Sequence, residues 1–540
     1  MTNKINNIIF YLLIIFSIYC ALNIGMSWDT LGNIYQGNER LKYLFSFGSY
    51  DYLDYGDQRF YPGFYTTLST FIIKIFPKKY EIESLHLINL LFSISTIFGI
   101  SKISGELFNK KVGKIVFILC FFNPIFFGHM AINQKDMLVA FSNIWSTYLI
   151  IKYLKNQHIN EKRNRYVLLG SLAIGFGLGI RIAFLSTLIP IILTSIFYVL
   201  FYKKMINENF SNKKLILDLS KVFIISYILM ISCWPDTHKN IFVLPFKLLF
   251  ESFNEIIGIP LGLLNGSLYN TAETPIYYLL INLLYKLPEF ILFSYLVFFY
   301  LVKKNFIFFK SKFKLFNTKI LLLLFIITFP NLLISISPYK IYDGLRLFLY
   351  LIPFICIIPG LTIYYLIIDY KNRVSKILLV TIFSLFAYNL LIFFSLTPYQ
   401  YTYLNLLNGD FSKSHKKFEN DYWTVTLKDL VNQIPNNKEL LNKKGLKLTF
   451  CGVADDNVKF YLKKIKNFKF EQVDWLTEDY EYIVMTNRAF DVHGDEETMY
   501  ADNLLNVKTC FDRFKGVDVI TVSRNGLLLS TIRKKIINNY

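Results

Sequence analysis

The residues His129-Met130-Ala131-Ile132-Asn133-Gln134-Lys135-Asp136 form a polar island between two apolar stretches long enough to cross a bilayer. Charge beside hydrocarbon costs several kcal/mol, so Lys135 and Asp136 at such a place point to chemistry or recognition at a membrane surface. A cation and a carboxylate in a tight turn can meet a substrate, or can form a plain salt-bridged connection. His129 and Asn133 share the turn and are candidate substrate contacts.

Other residues with chemical potential stand at similar boundaries. Asp29, in Ser27-Trp28-Asp29-Thr30, follows the end of the first apolar run. A carboxylate there can take a proton from an attacking hydroxyl or amine, or can cap a helix behind an interfacial Trp. Asp51, Asp54 and Asp57 alternate with tyrosines in a turn-rich stretch, where Asp57 is a candidate for substrate binding. Arg181 follows the glycine-rich run 170–179, between two spans with almost no loop. Glycines let helices approach closely, which leaves a guanidinium suited to bidentate phosphate binding; a snorkelling Arg is the structural alternative. Tyr342-Asp343-Gly344-Leu345-Arg346 places a second Arg before another span. It reads as a second phosphate clamp with Tyr342 and Asp343 as substrate contacts, or as a simple Asp343–Arg346 pair.

These residues need long helices to hold them. The chain has 540 residues, 54% hydrophobic and 18% aromatic, which is too apolar for a soluble protein. Spans are expected at about 8–26, 84–104, 113–129, 137–154, 166–181, 182–202, 219–235, 285–302, 319–337, 347–368 and 375–396. The net charge of +20 sits mostly in short loops, so it marks topology and not a nucleic-acid partner. Lys110-Lys111-Lys114, Lys162-Arg163-Arg165, Lys203-Lys204, Lys303-Lys304 and Lys371-Arg373 all fall on one side, with the amino terminus. That side is expected to be cytoplasmic, which puts the loops 27–83 and 236–284, the island, Arg181 and the Tyr342–Arg346 segment outside. The first run lacks a small-residue cleavage site and reads as a retained span.

The chain after residue 397 is expected to be a small extracytoplasmic α/β domain, 398–540, following a membrane module, 1–397. Leu446–Val453, Tyr480–Thr486, Val517–Ser523 and Leu527–Arg533 read as strands, Val458–Lys466 as a helix, and Arg524-Asn525-Gly526 as a hairpin turn. Cys451 and Cys510 can form a disulfide in an oxidising compartment or remain buried thiols. Zinc spacing, a Walker loop and a dinucleotide fingerprint are all missing from the sequence. No metal site and no certain cofactor is assigned; a divalent cation would have to rest on outer-face carboxylates.

Taken in order, these blocks resemble the GT-C fold glycosyltransferases, in particular bacterial relatives of protein O-mannosyltransferases and aminoarabinose transferases (glycosyltransferase family 39-like). The blocks are Asp29; Gly128-His129 with Asn133-Gln134-Lys135-Asp136; Tyr342–Arg346 followed by Pro353; and Pro398–Asn405, Gly409 and Phe418–Trp423. Thr30 stands where the family has a second acid, and Gln134 where it has Pro. The resemblance implies a GT-C type membrane fold of about 11 helices with a polyprenyl-phosphate-linked sugar donor and an inverting transfer at the outer face. A lipid, glycan or protein acceptor would be served by Asp29 as base, with Asp136 also in the catalytic set. Arg181, Arg346 and Lys135 would bind the donor phosphate, and Glu419–Trp423 would dock the tail. A bacterial inner membrane is the expected location. A transporter or flippase of a lipid-linked glycan is the alternative, as is a glycan polymerase or ligase of another fold. A transporter calls for polar residues at mid-depth and discontinuous helices, whereas the charges here cluster at span ends.

Overall fold

The computed structural model describes residues 2–52, 56–202, 209–254, 261–336, 340–441, 445–466, 468–488 and 509–536. Eight helices among them are long and apolar enough to cross a membrane, by length and composition: Lys78–Leu107, Asp136–Asn156, Phe184–Phe201, Asn212–Ser232, Glu289–Lys312, Phe316–Ile336, Leu351–Ile368 and Arg373–Ser395. The chain is an integral membrane protein. The three other expected spans are also helical, at Thr2–Asn23, at Lys110–Phe121 with Pro124–His129, and at Asn160–Leu178.

The second of these is broken for a local reason. The Asn123 side chain accepts from the Phe126 amide at 3.0 Å, with Pro124 in the first turn, so a new short helix starts there. That helix delivers Gly128 and His129 to the island. At the centre of the bundle, Leu351–Ile368 is buried along nearly its whole length. Its Gly360 passes so close to Val116 that an added Cβ would lie 2.5 Å from a Val116 methyl. The peripheral helices Phe184–Phe201 and Asn212–Ser232 keep most of their apolar residues outward, as lipid-facing helices do.

Within the first loop, Phe64–Ile73 is a helix that follows Pro62-Gly63. The Thr30–Phe45 helix beside it begins after Asp29, where the capping alternative places a helix, but its extent was not foreseen. Its buried face includes Asn33, Gln36, Glu39 and Arg40, so the usual apolar period is missing. Arg40 is wholly buried; it donates to the Gln58 and Tyr61 carbonyls at 3.0 and 2.9 Å and to the Thr66 hydroxyl at 3.0 Å. A side chain on Gly63, at φ +74°, would run into this guanidinium.

The loop 236–284 contains a hairpin, β1 (Leu261–Leu264) and β2 (Ser267–Asn270). The C-terminal sheet domain has strands β3 (Leu446–Cys451), β4 (Phe470–Gln472), β5 (Tyr482–Thr486), β6 (Gly516–Arg524) and β7 (Leu527–Lys535), in the order β4-β3-β5-β7-β6. β3 runs parallel to β4 and β5, and the remaining pairings are antiparallel. Asn525 and Gly526 both take positive φ, +49° and +79°, as a tight β6–β7 turn requires. The helix expected at Val458–Lys466 is Asp455–Leu462. The three-residue strand β4 was not foreseen. Cys451 and Cys510 form a disulfide, which resolves the two readings left open by their spacing.

The segment after Pro398 joins this sheet to the helices through three buried tyrosines. Tyr399 donates to Asp429, Tyr401 to Asp421, and Tyr403 to Glu289 at 3.0 Å. Gly128 packs directly on the Tyr401 backbone, where a Cβ would lie 2.1 Å from the Tyr401 nitrogen. Asp421 also accepts from the Thr426 hydroxyl and, at 3.0 Å, from the Val425 amide.

Burial pushes the Asp421 carboxyl up to about 6, against hydrogen bonds that favour its charged form. An unfolded aspartate titrates near 3.9, so between about pH 4 and pH 6 the native state holds a proton that the unfolded chain has released. Stability from this group is therefore greatest at low pH and declines as pH rises through that window. Thermal melts of detergent-solubilised protein should show the difference, wild type minus Asp421→Asn, shrinking between pH 4 and pH 6.5; a difference that grows with pH would contradict the assignment.

Candidate active site

Asp136 is the first residue of the Asp136–Asn156 helix and is buried at 5% exposure. Its N-terminal position places the carboxylate at the favourable end of the helix dipole. Asn133 sets the turn, accepting from the Lys135 and Asp136 amides at 3.1 and 2.7 Å through its carbonyl oxygen. The same Asn133 side chain donates to Asp136 Oδ2 at 3.1 Å.

Two guanidiniums share this carboxylate. Arg181 Nη1 lies 3.2 Å from Oδ1, and Arg346 Nε lies 3.3 Å from Oδ2. Arg181 reaches it from a turn whose glycines permit close approach: the Phe64 amide donates to the Gly179 carbonyl at 2.8 Å, and a Cβ at Gly179 would sit 2.7 Å from that of Phe64. Arg346 also pairs with Asp343 at 2.8 Å, and its guanidinium lies 5.2 Å from the Tyr342 ring and 5.1 Å from the Trp423 ring. Burial alone would favour loss of the Arg346 proton, but Tyr342, Asp343, Asp136 and Asp29 outweigh it. Lys135 stands 4.1 Å from the Tyr61 ring centroid, and Arg181 lies 5.5 Å from the same ring. Arg40 fixes the backbone that carries this tyrosine.

Asp29 is half-buried at the start of the Thr30–Phe45 helix. Its side chain does not cap that helix, and among the described residues it accepts no hydrogen bond and forms no ion pair. Its charge nonetheless reaches Arg346. Thr30 and Gln134, the two departures from the family pattern, touch each other: Gln134 Nε2 donates to Thr30 Oγ1 at 3.3 Å and Gln134 Oε1 accepts from Asn33 at 3.2 Å. This link ties the base of Asp29 to the island.

His129 has both ring nitrogens engaged within the protein. Nδ1 lies 2.7 Å from the Ile125 carbonyl, which can only accept, so Nε2 accepts from the Tyr422 hydroxyl at 2.5 Å. Asp51 is exposed; Asp54 and the side chain of Asp57 lie outside the described residues. Among the described residues, no group of three or more His, Cys, Asp or Glu side chains is arranged to hold a metal ion.

Two charged residues of this region gave no sequence signal. Arg488, buried just past β5, lies 4.7 Å from the Trp28 ring and donates to the Tyr422 carbonyl at 2.9 Å. Lys286 is buried close to the Gly344 backbone, and burial pushes it down to about 8 although Asp343 and Glu419 oppose the shift. Each is a lone basic residue in an apolar or strand-like stretch, with nothing in its spacing to set it apart.

Residues 62–232 match the family model described as dolichyl-phosphate-mannose-protein mannosyltransferase. The sequence resemblance to GT-C glycosyltransferases is thereby borne out over a stretch that includes Lys135, Asp136 and Arg181. Among solved structures, the chain is similar to ArnT from Cupriavidus metallidurans in the apo state, with 12% identity, 98% of each chain covered and a TM-score of 0.49. It is also similar to that protein bound to undecaprenyl phosphate, with 11% identity, the same coverage and a TM-score of 0.49. The Archaeoglobus fulgidus oligosaccharyltransferase in its apo form gives 11% identity and a TM-score of 0.46, over 88% of this chain and 69% of that one. No curated protein matches the chain.

Removing Asp136 would leave two buried guanidiniums facing each other. Breaking a buried pair typically costs roughly 3–5 kcal/mol. Asp136→Asn should lower thermal stability on that scale, and Asp343→Asn by less, because Arg346 retains Asp136. In a double-mutant cycle, Asp136→Asn with Arg346→Met should cost clearly less than the two changes summed; strict additivity would show that the pair does not interact.

Proposed function

We propose that this protein is a membrane glycosyltransferase that moves a sugar from a polyprenyl-phosphate-linked donor to an acceptor at the outer face, with inversion. The observation that carries the reading is a half-buried carboxylate, Asp29, that has no hydrogen-bond or ion-pair partner among the described residues and lies in the field of Arg346, one of the two guanidiniums that share Asp136. The family description for residues 62–232 supports the donor class, since it names a dolichyl phosphate sugar. The disulfide fits an extracytoplasmic C-terminal domain. Positive loops on the opposite side fit a cytoplasmic amino terminus.

In this mechanism, the acceptor hydroxyl or amine gives its proton to Asp29 as its heteroatom bonds to the anomeric carbon. The bond from that carbon to the phosphate oxygen breaks, and the lipid phosphate leaves with one further negative charge. Arg181, Arg346 and Lys135 stabilise that charge. Asp136 serves as their shared counter-ion and sets the spacing of the two guanidiniums. Tyr342 and Asp343 line the Arg346 side, whereas His129 supports Tyr422.

The deciding assay is transfer from a radiolabelled polyprenyl phosphate sugar by wild type and by Asp29→Asn. Loss of a general base costs about 10²–10⁴-fold, so Asp29→Asn should lose transfer on that scale while still binding donor. Full activity in this variant would remove Asp29 from the mechanism. Arg181→Ala and Arg346→Ala should instead weaken donor binding as well as turnover. Chelator treatment should leave turnover unchanged, because the proposed mechanism uses no metal; a loss restored by a divalent cation would refute that part.

A further inference from the structure

The segment that carries Asp29 belongs to no helix: Thr2–Asn23 ends before it and Thr30–Phe45 begins after it. Its backbone polar groups must be satisfied by something else. The C-terminal part of the chain supplies the partners. The Gly25 amide donates to the Val425 carbonyl at 3.1 Å, and the Met26 amide to the Tyr461 hydroxyl at 2.8 Å. The Ser27 carbonyl accepts from Asn457 Nδ2 at 3.1 Å as well as from the Thr30 amide at 3.0 Å, and the Trp28 ring lies 4.7 Å from the Arg488 guanidinium. Lys428 closes the preceding helix by donating to the Leu22 carbonyl at 2.7 Å.

Four consecutive residues, 25 to 28, are thus each held by a residue from 425 onward. Gly25 has room for no side chain, since a Cβ would lie 2.2 Å from the Val425 oxygen. Beyond Asp29 the contacts change owner. Thr30 and Asn33 are tied to Gln134 of the island. Asp29 therefore lies between two clamps, one from the C-terminal sheet domain and one from the membrane helices, while its own carboxylate takes no partner among the described residues.

We infer that the C-terminal sheet domain positions the catalytic carboxylate, with Tyr461, Asn457 and Arg488 as positioning residues that act through residues 26–28. This rests on the reading of Asp29 as the general base. The domain then completes the active site and is more than a platform for acceptor recognition. Misplacing a reacting group by about 1 Å can cost on the order of 10²-fold in rate, without loss of substrate affinity.

The test uses full-length protein in detergent or nanodiscs. Tyr461→Phe removes a single hydroxyl, and Asn457→Ala a single amide; the double variant removes both clamps on 26–27. Its kcat should fall about 10–100-fold, with the donor KM and melting temperature close to wild type. Arg488→Lys, which keeps the charge, should retain more turnover than Arg488→Ala at equal donor KM. A double variant with wild-type kcat, beside an inactive Asp29→Asn, would overturn the positioning role and leave the proposed function standing. A raised acceptor or donor KM at unchanged kcat would also overturn it, in favour of a binding platform. Full activity of Asp29→Asn would overturn both readings.

Discussion

The arrangement of this site depends on one carboxylate shared between two guanidiniums. Neither Arg181 nor Arg346 can discard its charge, and both are largely removed from water, so a buried anion must lie between them. Asp136 is suited to that role because it starts a long helix, where the dipole and the Asn133 turn both favour a negative charge. Its two oxygens fix the distance between the arginines. Everything that brings Arg181 and Arg346 to this point is then a condition of the site: the glycine turn at 179, the left-handed Asp343-Gly344 corner, and the central helix behind Arg346.

Around this centre, Asp343 gives Arg346 a second counter-ion, and aromatic rings stand against all three cations. Tyr61 faces Lys135 and Arg181, while Tyr342 and Trp423 flank Arg346. A cation over a ring face is partly stabilised yet still able to meet a phosphate. Trp423 and Tyr422 come from the segment that docks the C-terminal sheet, so the membrane helices and the tail share one wall. Tyr422 links the two directly, through its hydroxyl to His129 and its carbonyl to Arg488.

The departures from the family pattern make sense in this setting. Thr30 and Gln134, which stand where the resembled pattern has an acid and a proline, meet side chain to side chain. A neutral hydroxyl and an amide can join by a hydrogen bond where a second carboxylate would add charge beside Asp29. Asp29 is thus left without a hydrogen-bond or ion-pair partner among the described residues, which suits the proton-accepting role proposed for it.

Long apolar runs and loop charges were enough to read the helical membrane architecture, because bilayer thickness imposes a length that local composition reports directly. Short strand-like runs and the Asn525-Gly526 turn likewise made the α/β tail legible. Asp29, Lys135, Asp136, Arg181 and Arg346 could be picked out because charge next to apolar sequence is costly and therefore conspicuous. The pairing of those charges could not, since it depends on residues up to 210 positions apart. The polar face of Thr30–Phe45 hid the extent of that helix, and Arg488 and Lys286 carried no local mark. The clamp on residues 25–28 joins groups 400 or more positions apart, partly through backbone amides and carbonyls that every residue possesses. Residue chemistry and membrane architecture are local properties that the sequence alone determined. Which charges share a counter-ion, and what holds the segment that carries Asp29, were decided only when the tertiary structure brought distant backbone and side chains within hydrogen-bond reach.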